Sequence, residues 1–348
     1  MTSPTIWNSN HPLTRLGRLS AWGGLLILVV LLATLVDRAP TGGGRVDVAP
    51  PTLPPGLGRT MPPTVLWGAY VGSELTDMEE FEQQVGRNTD MEMVFAHFGN
   101  DPDFPLQYSP TIRDRQKTMV LFWEALNYDR DPMHQPEYSF DAVLRGDFDA
   151  YFRRFSLDAK AYGGPVVLVP YSEMNGNWFP WGGTVGGNTP EKYITAYRHL
   201  HSFFRDVPNV KFGWVVNARD VPNVERNHFE NFYPGDTYVD YVGVDGFDVG
   251  GDEAQSFDQL FGDALTRLRT FKKPIWIFSM GTASNPYKPL WMTEALTVEL
   301  YRHPEVKGWL WFNTNKEHDW RVDENSATLE AFQSALGVQI VSSTQSEE

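Results

Sequence analysis

The sequence predicts an α/β protein folded as a (β/α)8 barrel, on three observations. From Thr64 onward, short apolar runs alternate with longer amphipathic stretches. The apolar runs number eight, the count that closes a parallel sheet on itself. Polar or aromatic residues stand at the ends of most of them, where a barrel collects its functional groups. A doubly wound open sheet is the competing arrangement for the same alternation.

The strand candidates are residues 65–71, 91–98, 118–123, 166–170, 210–216, 238–244, 274–278 and 307–312. Helical periodicity separates most of them. Residues 148–161 carry Phe152, Phe155 and Ala159 on one side. Residues 190–207 open with a first-turn proline and space Ile194, Tyr197 and Leu200 along one face. Residues 257–268 and 292–301 repeat the pattern.

Ahead of the barrel, residues 1–18 form a short tail and residues 19–36 an uncharged apolar run of 18 residues. That length spans a bilayer, and it exceeds the usual apolar region of a cleaved signal peptide, about 7–15 residues. The run ends in Leu35-Val36-Asp37-Arg38, without a small-x-small site. The expectation is a transmembrane signal anchor with the barrel outside the cytoplasm, at the cell surface or in the periplasm. Secretion after cleavage is the alternative. Residues 37–63 are rich in Pro and Gly and read as an extended linker. The barrel is expected over 64–336, and residues 337–348 read as a polar, frayed tail.

The chain has 348 residues, net charge −15 and no cysteine. The charge argues against a nucleic-acid partner. The lack of thiols excludes disulfides and thiol catalysis. None of the eight histidines shows metal-ligand spacing, and no phosphate-binding glycine loop stands out. No metal or cofactor is expected.

The segment PVVLVPYSEMNGNWFPWGG (165–183) carries the most chemistry. A buried strand ends near Glu173, and Asn175, Trp178, Phe179 and Trp181 follow at once. Aromatic rings stack on the apolar faces of pyranoses, amides bond hydroxyls, and a carboxylic acid protonates a glycosidic oxygen. Any one of these rings alone would be read as core packing; their convergence is what argues for a cleft. The other strand ends supply Glu124, Asn217, Asp245 with Phe247, Ser279, and Trp311 with Asn313. Asp245 either serves the cleft or caps a helix.

The segment resembles the acid/base motif of glycoside hydrolase family 26, the β-mannanase family, and the resemblance extends over nearly all of residues 64–336. LRGDFDAYF (144–152), FYPGDTYVDYVGVDGF (232–247), KPIWIFSMG (273–281) and WFNTNKEHDWRVD (311–323) match in order and spacing. The resemblance implies that Glu173 is the general acid/base, and that Asn175, Trp178, Trp181 and Trp311 face the sugar. It also implies substrate contacts from the loop holding Trp320 and Arg321. For Asp319 and Arg321 the plain reading is a surface ion pair, and for Trp320 a core lid. The family's nucleophile glutamate falls on Ser279, the histidine before its acid on Ser172, and the tyrosine supporting its nucleophile on Phe247. A serine without an adjacent base does not replace a carboxylate at an anomeric carbon.

The expected function is therefore that of a membrane-anchored, glycosidase-like protein acting on a β-linked polysaccharide of the mannan or β-glucan type. Glu173 is its acid, and Glu124 or Asp245 its replacement base. The alternative is a catalytically silent glycan binder in surface-polysaccharide export or attachment. A barrel kept only for protein contact is a third possibility.

Overall fold

Eight strands form where the apolar runs predict them: β1 (Leu66–Tyr70), β2 (Met91–His97), β3 (Thr118–Glu124), β4 (Val166–Pro170), β5 (Val210–Asn217), β6 (Tyr241–Asp248), β7 (Ile275–Thr282) and β8 (Val306–Phe312). They pair in sequence order, every neighbour parallel, and β8 pairs with β1 to close the barrel. The open sheet is thereby excluded. The computed structural model describes residues 59–338, except 73, 75–76, 100–102, 132 and 252–253. The expected tails at 1–18 and beyond 338, the apolar run at 19–36 and most of the linker lie outside the described residues. Among the described residues, no helix is long and apolar enough to cross a membrane.

Two strands run further than their apolar residues suggest. β6 continues through Asp245 to Asp248, and β7 through Ser279 to Thr282. These polar, glycine-containing ends have poor intrinsic strand preference, but each pairs with the other from Asp245↔Ser279 to Asp248↔Thr282. Backbone pairing at the barrel mouth therefore overrides local propensity.

The helices follow the strands: α1 (Asp77–Val85), α2 (Ser109–Asp114), α3 (Phe140–Leu144), α4 (Asp149–Tyr162), α5 (Pro190–His201), α6 (Phe257–Leu268), α7 (Lys288–Glu294), α8 (Leu300–Arg302) and α9 (Ser326–Leu336). The pattern at 292–301 is the middle of a longer helical segment, α7 and α8 joined by a π-helical stretch, Ala295–Glu299. α6 begins with a capping box, in which the Ser256 hydroxyl accepts from the Gln259 N–H and the Gln259 side chain accepts from the Ser256 N–H.

Pleat alternation sorts the strand residues into two apolar layers. On β8, Trp309 and Trp311 pack outward against Phe332 of α9, while Leu310 and Phe312 point into the barrel. The interior is filled by large rings over small neighbours. A Cβ on Gly243 would clash with Phe278 Cδ2 and with the Trp276 carbonyl oxygen. Gly213 leaves room for the far side of the same Phe278 ring.

Gly243→Ala should overpack this layer and lower stability by about 2–3 kcal/mol, read as an earlier urea-unfolding midpoint. An unchanged midpoint would mean that Phe278 does not fill the space above Gly243.

Candidate active site

The C-terminal ends of the strands open into one cleft of about 180 Å³. It brings together Glu124, Ser172, Glu173, Trp178, Asn217, Asp245, Phe247, Ser279 and Trp320 from the expected set. These residues come from six separate segments of chain, the arrangement that a barrel mouth makes possible.

Glu173 is aimed by unusual backbone. After β4 the chain turns through Tyr171 and Glu173, both non-glycine residues in left-handed conformation, with φ of 53° and 55°. Such geometry costs of order 1–3 kcal/mol per residue and persists only where the surroundings hold it. Here the Glu173 N–H donates to the Val215 carbonyl at 2.9 Å, and the Glu173 carbonyl accepts from the Gly176 N–H at 2.8 Å. The Trp178 indole N–H then donates to Glu173 Oε2 at 3.0 Å, so this ring both lines the cleft and orients the acid.

Glu124 ends β3 on the inward side of the pleat. Its Oε2 accepts the Tyr128 hydroxyl at 2.6 Å and lies 3.1 Å from His97 Nε2. Asn217, Asp245 and Ser279 stand side by side on β5, β6 and β7 in direct register. A β-bulge puts Ser279 there. Ile277 and Met280 pair with Trp309 and Trp311, so the β7 segment holds one residue more than the β8 segment it faces. Phe278 and Ser279 consequently both face inward, while Ile277 and Met280 pack outward.

Five expected contact residues do other work. Asn175 is fully buried and ties the β4 and β5 loops together: its amide donates to the carbonyls of Asn217 and Arg219 and to Asp220 Oδ1, and its oxygen accepts the Asn217 N–H. Trp181 stacks on Phe179 at 4.3 Å and donates to the Ser172 carbonyl. Trp311 faces the helices, because its pleat position is the outward one; the inward ring is Phe312. The Trp311 indole N–H instead donates to the Trp320 carbonyl at 2.9 Å and holds that loop, placing the Trp320 ring 5.0 Å from Phe247 in the cleft. Asn313 closes the same loop through the Val322 N–H and Asp323. Arg321 is paired with Asp319 at 2.7 Å.

Phe179, named from the sequence with its neighbours, also lines the cleft, as do Met93, Phe95, Phe122, Arg219, Val221, Phe312 and Glu317, which were not singled out from sequence. Pleat parity would have found several of them. Phe122 lies two residues below Glu124 on β3, and Phe95 two below His97 on β2; the register places these pairs side by side. No comparable signal marks Glu317.

Glu124, Glu173, Asp245 and Glu317 thus share a cleft walled largely by rings and apolar side chains. Burial is the main influence on Glu173 and, with the charge of Glu124, pushes it up to about 7 against the pull of the Trp178 N–H. Burial, then Glu173 and Glu124, push Asp245 well above the usual carboxylate range; the Ser279 backbone N–H pulls the other way. One Asp245 oxygen, Oδ1, is buried without a hydrogen-bond partner.

Sequence comparison agrees with this architecture. The family model for glycosyl hydrolase family 26 matches residues 139–337. The chain belongs to glycosyl hydrolase family 26. It is 33% identical over 282 residues to endoglucanase H of Acetivibrio thermocellus, a match covering 78% of this chain but 30% of that protein. A mannan endo-1,4-beta-mannosidase of Bacillus subtilis is 28% identical over 198 residues, covering 55% of this chain and 48% of the relative. The chain therefore spans less than half the length of either relative. Among solved structures, the catalytic domain of a Bacillus sp. JAMB-750 GH26 endo-beta-1,4-mannanase superposes with a TM-score of 0.62 at 17% identity, covering 81% of this chain and 88% of that one. A Cellulomonas fimi endo-beta-1,4-mannanase also gives 0.62 at 18% identity, covering 78% and 70%. At these identities the likeness speaks for the fold.

The elevated acid has a consequence for stability. An unfolded glutamate titrates near 4.5 and folded Glu173 near 7, so the folded protein holds the extra proton between those values. Stability should fall as pH rises through that window and stay lower above it. Glu173→Gln removes the loss and should be more stable than wild type by roughly 3 kcal/mol at pH 8, with little difference at pH 4.5. Urea melts at the two pH values check this; an equal difference at both would contradict it.

Proposed function

We propose that this protein hydrolyses a β-linked polysaccharide of the mannan or β-glucan type, with Glu173 as the general acid. The observation carrying this reading is the state of Glu173: a carboxylic acid held near pKa 7 by burial, oriented by an indole N–H, at the C-terminal mouth of a barrel. That is the equipment for protonating a leaving-group oxygen at neutral pH. The names of the relatives, an endoglucanase and a mannosidase, support the polysaccharide class.

On this reading Ser279 occupies the position of the family's nucleophile, and the covalent glycosyl–enzyme route is closed. Glu124 and Asp245 are the buried carboxylates left to supply the second function. The same serine favours a second reading, in which the cleft binds a glycan and does not cleave it. In either case the apolar run at 19–36 would tether the barrel outside the cytoplasm, with the linker as spacer.

Incubation of the full chain with β-mannans, β-glucans and xylans, with reducing ends as the readout, separates the two. Hydrolysis should occur and should fall by about 10²–10⁴-fold in Glu173→Ala. Absence of release from every polymer, with retained binding, would overturn the hydrolase reading and favour the binder.

A further inference from the structure

One ammonium at the barrel mouth lacks an acceptor. Among the described residues, the lysines that are not exposed are Lys117, Lys192, Lys273, Lys288 and Lys316. The first four are satisfied. Lys117 donates to Glu82 and to the Thr89 carbonyl, Lys192 to Asp141, Lys273 to the Asp236 carbonyl and Lys288 to the Asp319 carbonyl. Lys316 Nζ makes no hydrogen bond and no ion pair with any described residue. It lies instead 5.6 Å from the centroid of the Tyr70 ring and 5.5 Å from that of Phe312, two rings that stack on each other at 5.1 Å. Rings attract a cation but bring no lone pair to its N–H groups. Burial lowers the pKa of this amine, against the pull of the Glu317 and Glu124 carboxylates. A partly desolvated ammonium without an acceptor is costly, and a ligand rich in oxygen removes the cost.

The fold presents this group to the cleft. After β8 the chain makes a tight turn in which Asn315 and Asp319 bridge and the Lys316 N–H donates to the His318 carbonyl at 3.2 Å. The indole N–H of Trp311, bonded to the Trp320 carbonyl, pins the turn from behind. Phe312 and Glu317 both line the cleft, and Tyr70 packs edge-on against Phe95, which lines it too. β8 lies opposite β4 in the ring of eight strands, so Lys316 stands across the mouth from Glu173.

We propose that Lys316 is a substrate-binding residue, whose ammonium donates to hydroxyl oxygens of a sugar unit lying on the far side of the cleft from Glu173. The inference rests on the polysaccharide reading above and adds to it a subsite and the charge of its ligand. The carboxylates that reach the ammonium, Glu317 and Glu124, would both repel an acidic sugar there. The unit is therefore an uncharged one, which brings lone pairs without negative charge. A contact this far from the acid holds substrate and transition state alike, so its loss falls mainly on KM.

The test uses Lys316→Met and Lys316→Arg in the full chain. Methionine keeps an apolar stem over the two rings and removes the donors; arginine keeps charge and donors. On the polymer that wild type cleaves, Lys316→Met should raise KM by about 10-fold or more, with a smaller change in kcat and an unchanged urea-unfolding midpoint. Lys316→Arg should fall between the two. A carboxymethylated form of the same polymer should have a higher KM than the unmodified one. A wild-type KM in Lys316→Met, a rise in KM accompanied by an earlier unfolding midpoint, or a preference for the carboxymethylated polymer would overturn this inference and leave the hydrolase reading standing. If no polymer is cleaved, the hydrolase reading falls and retention in gels containing β-mannan or β-glucan decides the inference. Weaker retention of Lys316→Met than of wild type would support it; equal retention, or none by either, would overturn it.

Discussion

Glu124, Glu173 and Asp245 crowd one largely apolar cleft, and the rest of the site is organised around that constraint. Burial raises both Glu173 and Asp245, and the neighbouring carboxylates add to it: Glu124 raises Glu173, and Glu173 and Glu124 raise Asp245. The fixed donors are unevenly shared. Glu124 receives the Tyr128 hydroxyl and stands beside His97; Glu173 receives one indole N–H; Asp245 Oδ1 receives none. Protons therefore settle on Glu173 and Asp245. An acid that keeps its proton near neutrality follows directly from this distribution.

The barrel supplies the rigidity that such a cluster needs. Strand pairing around the closed sheet fixes Asn217, Asp245 and Ser279 in adjacent register, and the β7 bulge turns Ser279 inward with Phe278. The left-handed turn at Tyr171 and Glu173 is held by the Val215 carbonyl and by Asn175, whose side chain locks the neighbouring β5 loop. Far from the mouth, at the N-terminal ends of β2 and β3, buried Lys117 is satisfied by Glu82 and Thr89. Charge there is paired, whereas at the mouth it is crowded. The contrast is the usual separation of stability and chemistry between the two ends of a barrel.

Much of this was legible in the sequence. The eight apolar runs were enough to order the strands, since each is buried on both faces and flanked by helical periodicity. Most polar residues at strand ends were legible as cleft residues, Glu124, Asn217, Asp245 and Ser279, but Asn313 turns out to close a loop. Rings were harder to place. Trp311 and Phe312 are adjacent, both apolar, and only the pleat decides that Phe312 faces the barrel and Trp311 the helices. Asn175 was legible as important but not for its reason, because a sugar-facing amide and a loop-locking amide look alike in sequence. The bulge at Ser279 and the left-handed Glu173 arise from pairing between distant strands, which no local pattern carries.

The account depends most on the proton held by Glu173, and a carboxyl carbon-13 NMR titration of the full chain labelled at glutamate Cδ measures it directly, with the Glu173 resonance identified by its absence in Glu173→Gln. The account predicts a midpoint for Glu173 near 7. A midpoint near the ordinary 4.5 would show that the cleft solvates its charges, and would contradict the carboxylate crowding from which the chemistry is argued.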